Sequence, residues 1–172
     1  TGEIEHEHGT VDQGENGGRV APLRVGVRSS TDRDDLIAVG AGVTAELDAT
    51  ALRDLAAAFT RAAARRARIA LSLSSTGSAD AAAAVRALTE GALLARYAYT
   101  ALKSAPKHVG LGAVTFDIAG VDASADAPAA ISAARISARA AVIARDLANT
   151  PPDRLTATGM GAITLVLNAL LQ

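Results

Sequence analysis

Apolar and polar residues follow two different periods along this chain, and the changes between them predict an ordered succession of strands and helices. Short apolar or alternating runs indicate strands, whereas apolar residues spaced three and four apart indicate helices. The expected strands are residues 23–27, 36–39, 69–73 and 111–118. The expected helices run from residue 48 to 66, from 80 to about 104, and from about 128 to a motif at 144–156. Strands separated by helices of this length predict an α/β fold, a mixed sheet flanked by helices.

Each expected helix has an apolar stripe that should face the core. The stripes are Leu52, Leu55 and Phe59 in the first helix; Val85, Leu88, Ala92, Ala95, Tyr99 and Leu102 in the second; and Ile136, Ala140, Ile143 and Leu147 in the third. Asp80 is a suitable N-cap, and Pro128 is a suitable first-turn residue. Pro151 and Pro152 cannot continue a helix, so the third one should end before them, with Asn149 as its C-cap.

Four segments are expected from these patterns. Residues 1–20 form a flexible, acidic and glycine-rich segment, and 21–148 form the α/β domain. Residues 149–158 form a linker, and 159–172 form a C-terminal amphipathic helix. Aromatic residues make up only 2% of the chain, so the core must be built from Ala, Val, Leu and Ile. Because alanine buries little apolar area, we expect a thinly stabilised core that oligomerisation would help.

The charge balance argues against several classes of partner. The formal net charge is −1, which makes nucleic acid and an anionic membrane unlikely partners. Four arginines cluster at helical spacing, and we interpret them as a solvated face: Arg61, Arg65, Arg66 and Arg68. The chain has no cysteine, which excludes disulfides and thiolate metal sites. Without a long apolar run or a leader-like start, a soluble cytoplasmic protein is expected.

Few residues are candidates for chemistry. In an extended segment, His6 and His8 of the run Glu5–His8 would share one face and could hold a metal, although such short runs are more often solvated. Gly40 and Gly42 could begin a phosphate-binding turn, but the acidic residue that should end the following strand is replaced by serines. A tight strand-to-helix turn explains these glycines, and we favour it over nucleotide binding.

Two single residues also have ordinary explanations. Asp117 is expected at the exposed end of a half-buried strand, with no second carboxylate or lysine close in sequence. His108 lies beside turn residues, where a histidine is more often at the surface than a general base. We therefore assign no catalytic, cofactor-binding or metal-binding residue from the sequence.

Two sequence blocks resemble a known family. The sequence EGALLARYAY at 90–99, followed by Lys103, resembles a helix in the N-terminal domain of leucyl (cytosol) aminopeptidases. The sequence RDLANTPPDRLT at 145–156 is similar to the interdomain signature of that family and is more specific, although Ala157 stands where the family usually has proline. The resemblance covers about residues 36–156 and implies a macrodomain-like fold for the N-terminal domain.

The C-terminal segment extends the resemblance. Residues 157–162, ATGMGA, resemble the turn that opens the last helix of the family's catalytic domain. We find no counterpart of the lysine, aspartates and glutamate that bind two divalent metals, Mn or Zn, in that domain. The resemblance therefore implies that the catalytic domain is either deleted or belongs to a longer chain.

The resemblance implies a non-catalytic assembly or regulatory domain. A complete relative would be a hexameric two-metal aminopeptidase that releases N-terminal amino acids from peptides, and this chain alone is expected to be inactive. The likeness also implies a homo-oligomer and a cytoplasmic location. Two alternatives remain: a stand-alone module that binds a nucleotide or an ADP-ribose-like ligand, and a scaffold that partners a full-length homologue.

Overall fold

The computed structural model describes residues 37–122, 125 and 127–170. After a short 3-10 helix, Thr44–Glu46, the elements are α1 (Ala49–Ala62), β1 (Arg68–Leu73), α2 (Ala81–Ala95), β2 (Ala113–Ile118), α3 (Ala127–Asn149) and α4 (Ala157–Leu170). Strands and helices alternate as expected, so the α/β prediction is confirmed. The first expected strand, residues 23–27, lies outside the described residues.

The two described strands form a parallel pair with a continuous register. Arg68 is the partner of Ala113 at one end of the pair, and Leu73 is the partner of Ile118 at the other. Helix α2 is the crossover that parallel strands need. On β1, every second side chain is buried, from Ile69 onwards. The carboxyl ends of both strands therefore lie at the same edge of the sheet.

The core lies between α1, β1 and α2. Its largest fully buried side chains include Phe59, Leu52 and Leu71. The predicted stripe of α1 is thus confirmed, and the first half of the α2 stripe also faces the core. Helices α1 and α2 approach closely at Gly91, where an added Cβ would overlap the carbonyl oxygen of Arg53. Alanine and glycine therefore compensate for the scarcity of aromatic residues by bringing the backbones together.

Both helices that flank β1 begin at an aspartate cap. The Ala51 backbone N–H donates to Asp48 Oδ1 at 2.8 Å, and the Ala83 N–H donates to Asp80 Oδ1 at 2.7 Å. Each bond satisfies one of the free N–H groups of a first helical turn. The predicted cap at Asp80 is confirmed.

Two predicted boundaries were wrong. Residues 37–39 do not form the expected strand, because their backbone makes no hydrogen-bonded ladder with β1. Ile37 and Val39 nevertheless pack against the core. Helix α2 ends at Ala95 rather than near residue 104. Arg96 is the C-cap of α2, and its side chain bonds the chain just after α1. Leu102, expected on the buried stripe, is 50% exposed.

The prediction of which α3 residues face the core was also wrong for the first half of the helix. Ala130, Ala134 and Ala138 are buried, whereas Ile136 is 69% exposed. Residue 140, also expected inside, is exposed, while 143 and 147 are half-buried. Alanines at spacings of four let α3 approach α2 closely, and this close approach outweighs the burial of one larger side chain.

By length and composition alone, α3 is the one described helix that could cross a membrane. This is weak evidence, because core helices of soluble proteins pass the same test. Helix α3 packs against α2 and carries the exposed residues Arg135 and Arg139 on its other faces. We therefore treat α3 as a packed helix of the α/β domain.

Candidate functional site

The two sequence blocks singled out above meet in space at the C-terminal end of α3. The Tyr97 hydroxyl donates a hydrogen bond to Asp146 Oδ1 at 2.9 Å and accepts one from Asn149 Nδ2 at 3.0 Å. The guanidinium carbon of Arg145 lies 5.5 Å from the centre of the Tyr97 ring, within cation–π range. We call the group formed by these residues with Tyr99 and Thr150 the tyrosine cluster.

The remaining members of the tyrosine cluster hold the exit from α3. The Tyr99 hydroxyl donates to Thr150 Oγ1 at 3.3 Å, and Thr150 Oγ1 donates to the backbone carbonyl of Asp146 at 2.6 Å. Arg145 Nη1 reaches back to the carbonyl of Leu94, near the end of α2, at 3.3 Å. The ends of α2 and α3 are therefore joined by both side-chain and backbone groups.

Tyr97 acts in this cluster as a neutral phenol. Burial raises the pKa of Tyr97, and the hydrogen bond with Asp146 and the negative charge of that carboxylate raise it further, against a lowering by Asn149 and Arg145. A phenol with a raised pKa keeps its proton at neutral pH and donates it to the carboxylate. This geometry holds the end of α3 against Tyr97.

The segment that follows α3 has a defined turn rather than an open coil. The carbonyl of Pro151 accepts from the N–H groups of Arg154 and Leu155, at 3.0 and 2.9 Å. Thr156 then caps the first turn of α4, since its Oγ1 accepts from the Gly159 N–H at 3.2 Å. The turn at 151–155 and the bond to Thr156 therefore set the direction of the chain between α3 and α4.

A buried carboxylate within the first block joins α1 to α2. Glu90 accepts hydrogen bonds from Arg53 Nη2 at 2.9 Å and from Arg86 Nε at 3.0 Å. Burial alone would raise the pKa of Glu90, but the hydrogen bonds from the two arginines and the charge of Arg53 lower it below the ordinary value. Glu90 therefore remains ionised and paired at neutral pH.

Arg96 closes the C-terminal end of α1. Its Nη1 donates to the carbonyls of Ala64 and Val109 at 2.7 and 2.8 Å, and its Nη2 donates to those of Ala63 and Arg66, both at 2.6 Å. Only 8% of this residue is exposed, and burial lowers the pKa of its guanidinium. One buried cation thus donates to four backbone carbonyls and ties the chain just after α1 to the loop before β2.

The other residues considered above as candidates for chemistry are not gathered into one site. Asp117 is exposed and accepts a hydrogen bond from Ser72 Oγ at 3.2 Å, and His108 is exposed. Gly42 has φ of +79°, which suits a tight turn, but a 3-10 helix follows it instead of an α-helix. The run Glu5–His8 lies outside the described residues.

No group of three or more His, Cys, Asp or Glu residues within the described ranges could hold a metal ion. The roles of Glu90 and Arg96 were not predicted from the sequence. The sequence nevertheless marks them out, since Glu90 and Arg96 are the only charged residues between positions 87 and 102. Charges inside an apolar run need partners, although sequence alone cannot show which partners they find.

Comparisons with known proteins agree with the resemblance of the two blocks. Residues 18–106 match the model of the cytosol aminopeptidase family, N-terminal domain. A probable cytosol aminopeptidase of Microcystis aeruginosa (strain NIES-843 / IAM M-2473) is 35% identical over 121 residues, which is 70% of this chain and 24% of that protein.

Solved structures show the same relationship. The bottromycin maturation enzyme BotP matches with a TM-score of 0.67 and 27% identity, over 86% of this chain and 31% of BotP. BotP in complex with Mn matches with a TM-score of 0.66 and 27% identity, over 85% of this chain and 30% of that chain. The chain thus spans less than a third of the length of these relatives. It belongs to the cytosol aminopeptidase family and contains the N-terminal domain of that family.

Proposed function

We propose that this chain is a non-catalytic domain of a cytosol aminopeptidase, and that it positions the segment leading to further parts of the enzyme. The observation that carries this proposal is the tyrosine cluster, in which Tyr97 from one family block bonds Asp146 and Asn149 from the other. A complete protein of this kind would be a two-metal aminopeptidase that releases N-terminal amino acids from peptides. A cytoplasmic location belongs to the same proposal, in keeping with the name of the cyanobacterial relative.

The described residues do not fit the metals that such an enzyme uses. BotP has been solved with Mn, but the described part of this chain has no cluster of ligand side chains. Two-metal hydrolysis needs several carboxylates to hold both ions and to activate water. We therefore derive no hydrolytic step from these residues and attribute to them a role in positioning.

An activity assay tests the non-catalytic role directly. The 172-residue chain is purified, its intact mass is checked against 17.3 kDa, and hydrolysis of a leucyl anilide is followed with added Mn²⁺ or Zn²⁺. We expect no hydrolysis above the buffer rate with either metal. Metal-dependent turnover by a preparation of this mass would overturn the proposal.

We also propose that the domain assembles with further copies of itself. This proposal is supported by exposed apolar side chains on the last two helices, Ile136 on α3 and Leu165 on α4, the latter 72% exposed. Multi-angle light scattering should give a mass above that of one chain, and an Ile136→Glu/Leu165→Glu variant should shift it towards one chain. A wild-type mass of one chain at high concentration would overturn assembly without affecting the assay above.

A further inference from the structure

A concentration of positive charge surrounds the C-terminal end of α1. We call Arg61, Arg65, Arg68 and Lys107 the basic surface. All four side chains are exposed. Arg66, between them, is exposed as well but makes an interaction of its own, so it is not counted.

The buried guanidinium of Arg96 brings the two halves of this surface together. It bonds Ala63, Ala64 and Arg66 at the end of α1 and also Val109 in the loop before β2. The Gly112 N–H donates to the carbonyl of Ala67 at 2.7 Å and fixes the same loop a second time. Lys107 is therefore held beside the end of α1, although it is far from Arg61 in sequence.

The described residues supply no carboxylate that neutralises the basic surface. Residues 55–79 and 91–116 contain no Asp or Glu. Within the part of the chain that the structure describes, no carboxylate pairs with the four residues of the basic surface. Cations near the end of a helix are favourable because of the helix dipole, but Arg96 already occupies that position. The additional like charges repel one another, and a bound anion would relieve this repulsion.

The net charge of the chain conceals this surface. Residues 1–36 contain eight acidic and four basic residues, whereas residues 37–172 contain ten acidic and 13 basic residues. The value of −1 is therefore an average over an acidic beginning and a basic remainder. It does not argue against an anionic partner for the domain itself.

We propose that the basic surface binds an acidic polypeptide segment of a partner protein. Three of its four cations lie within residues 61–68, and the fourth lies in the loop that Arg96 holds beside them. This is a short footprint, whereas proteins that bind duplex DNA typically neutralise roughly 6–10 phosphates along an extended groove. The segments 61–68 and 103–109 contain no Phe, Tyr or Trp, on which unpaired bases would stack. A short run of Asp or Glu side chains matches both the charge and the extent of the surface. This inference does not depend on the proposed function.

Fluorescence anisotropy with a labelled oligoglutamate peptide tests the proposal. The test variant is Arg65→Glu/Arg68→Glu, and the matched control is Arg135→Glu/Arg139→Glu, which makes the same charge change on exposed positions of α3. We expect the intact chain to bind at low salt, the test variant to bind at least about tenfold more weakly, and the control to stay within about twofold. Binding should also weaken as salt screens the exposed charges.

Three outcomes would overturn the proposal. The first is no binding of oligoglutamate by the intact chain at low salt, and the second is an equal loss in the test and control variants. The third is tighter binding of duplex DNA than of oligoglutamate at the same salt, lost in the same test variant. Circular dichroism melting checks that both variants fold. If Arg65→Glu/Arg68→Glu does not fold, Arg65→Gln/Arg68→Gln should still weaken binding about threefold or more, and an unchanged affinity would count against the proposal.

Discussion

The first and last parts of the described chain are held in place by different forces. In the first, Phe59 of α1 and Leu71 of β1 are essentially inaccessible to solvent. In the last, none of the described side chains of α4 is buried, and the end of α3 is fixed by polar contacts to Tyr97 and Tyr99. Hydrophobic burial is strong but has no preferred direction, whereas hydrogen bonds are weak but directional. The core therefore stabilises the domain, and the tyrosine cluster sets where the chain leaves it.

Truncation of a core residue should have the largest effect on stability. Phe59→Ala should lower the free energy of unfolding by about 3–5 kcal/mol, because it leaves a cavity between α1, β1 and α2. The comparison variant is Arg139→Ala on the exposed side of α3, with an expected change below about 0.5 kcal/mol. Urea denaturation followed by circular dichroism measures both. Similar losses in the two variants would contradict the contrast between the regions.

Removal of the buried guanidinium should have the next largest effect. Arg96→Met retains much of the apolar volume but leaves four carbonyls without their shared donor, so we expect a loss of about 3 kcal/mol. Arg61→Met, at an exposed position of the same helix end, should change stability by less than about 0.5 kcal/mol. Thermal melts of both variants provide the measurement. A loss for Arg96→Met no larger than that for Arg61→Met would show that water replaces the guanidinium without cost.

The core could largely be predicted from the sequence, because the spacing of apolar residues indicates which side chains are buried. The α1 stripe at Leu52, Leu55 and Phe59 and the cap at Asp80 were identified from spacing and residue type alone. The failures occurred where close approach or a distant partner decided the outcome. Ile136 is exposed because smaller residues on α3 face α2, and local hydrophobicity could not show this packing.

The candidate site could be located from the sequence but not constructed from it. Both blocks that form it were singled out, yet the bond between Tyr97 and Asp146 joins positions 49 residues apart. The α2 stripe was predicted to continue through Tyr99, whereas the helix ends before that residue and frees its hydroxyl for Thr150. A pattern based on helical period does not predict this helix end, since the carbonyls that Arg96 bonds are at least 13 residues away in sequence.

The ion pairs of Glu90 should produce a smaller effect that depends on pH. Glu90→Gln removes the charge that pairs with Arg53 and Arg86, and we expect a loss of about 2 kcal/mol at neutral pH, since both arginines are partly exposed. Because the folded-state pKa of Glu90 is lowered, its contribution is present above the ordinary value of 4.5 and is lost as pH falls through the lowered value.

The measurement for Glu90 is the difference in unfolding free energy between wild type and Glu90→Gln across a pH series. That difference should be constant near neutrality and should shrink below pH 4.5. The control is Thr158→Ala, at an exposed position on α4, which changes no titratable group and should give the same difference at every pH. If the difference in unfolding free energy between wild type and Glu90→Gln grew as the pH fell, the pKa of Glu90 would not be lowered in the folded state.

The tyrosine cluster should contribute least to stability but most to local order. Tyr97→Phe removes the hydroxyl that bonds Asp146 and Asn149, and it should lower global stability less than Phe59→Ala, Arg96→Met or Glu90→Gln. Its main effect should be faster amide hydrogen exchange at residues 145–155, because local opening there no longer has to break those bonds. Tyr99→Phe is the matched control, since it loses the same kind of group from a longer, 3.3 Å bond to Thr150 and should change exchange less. Unchanged exchange in Tyr97→Phe would mean that backbone turns alone direct the chain out of α3, and the tyrosine cluster would then have no positioning role.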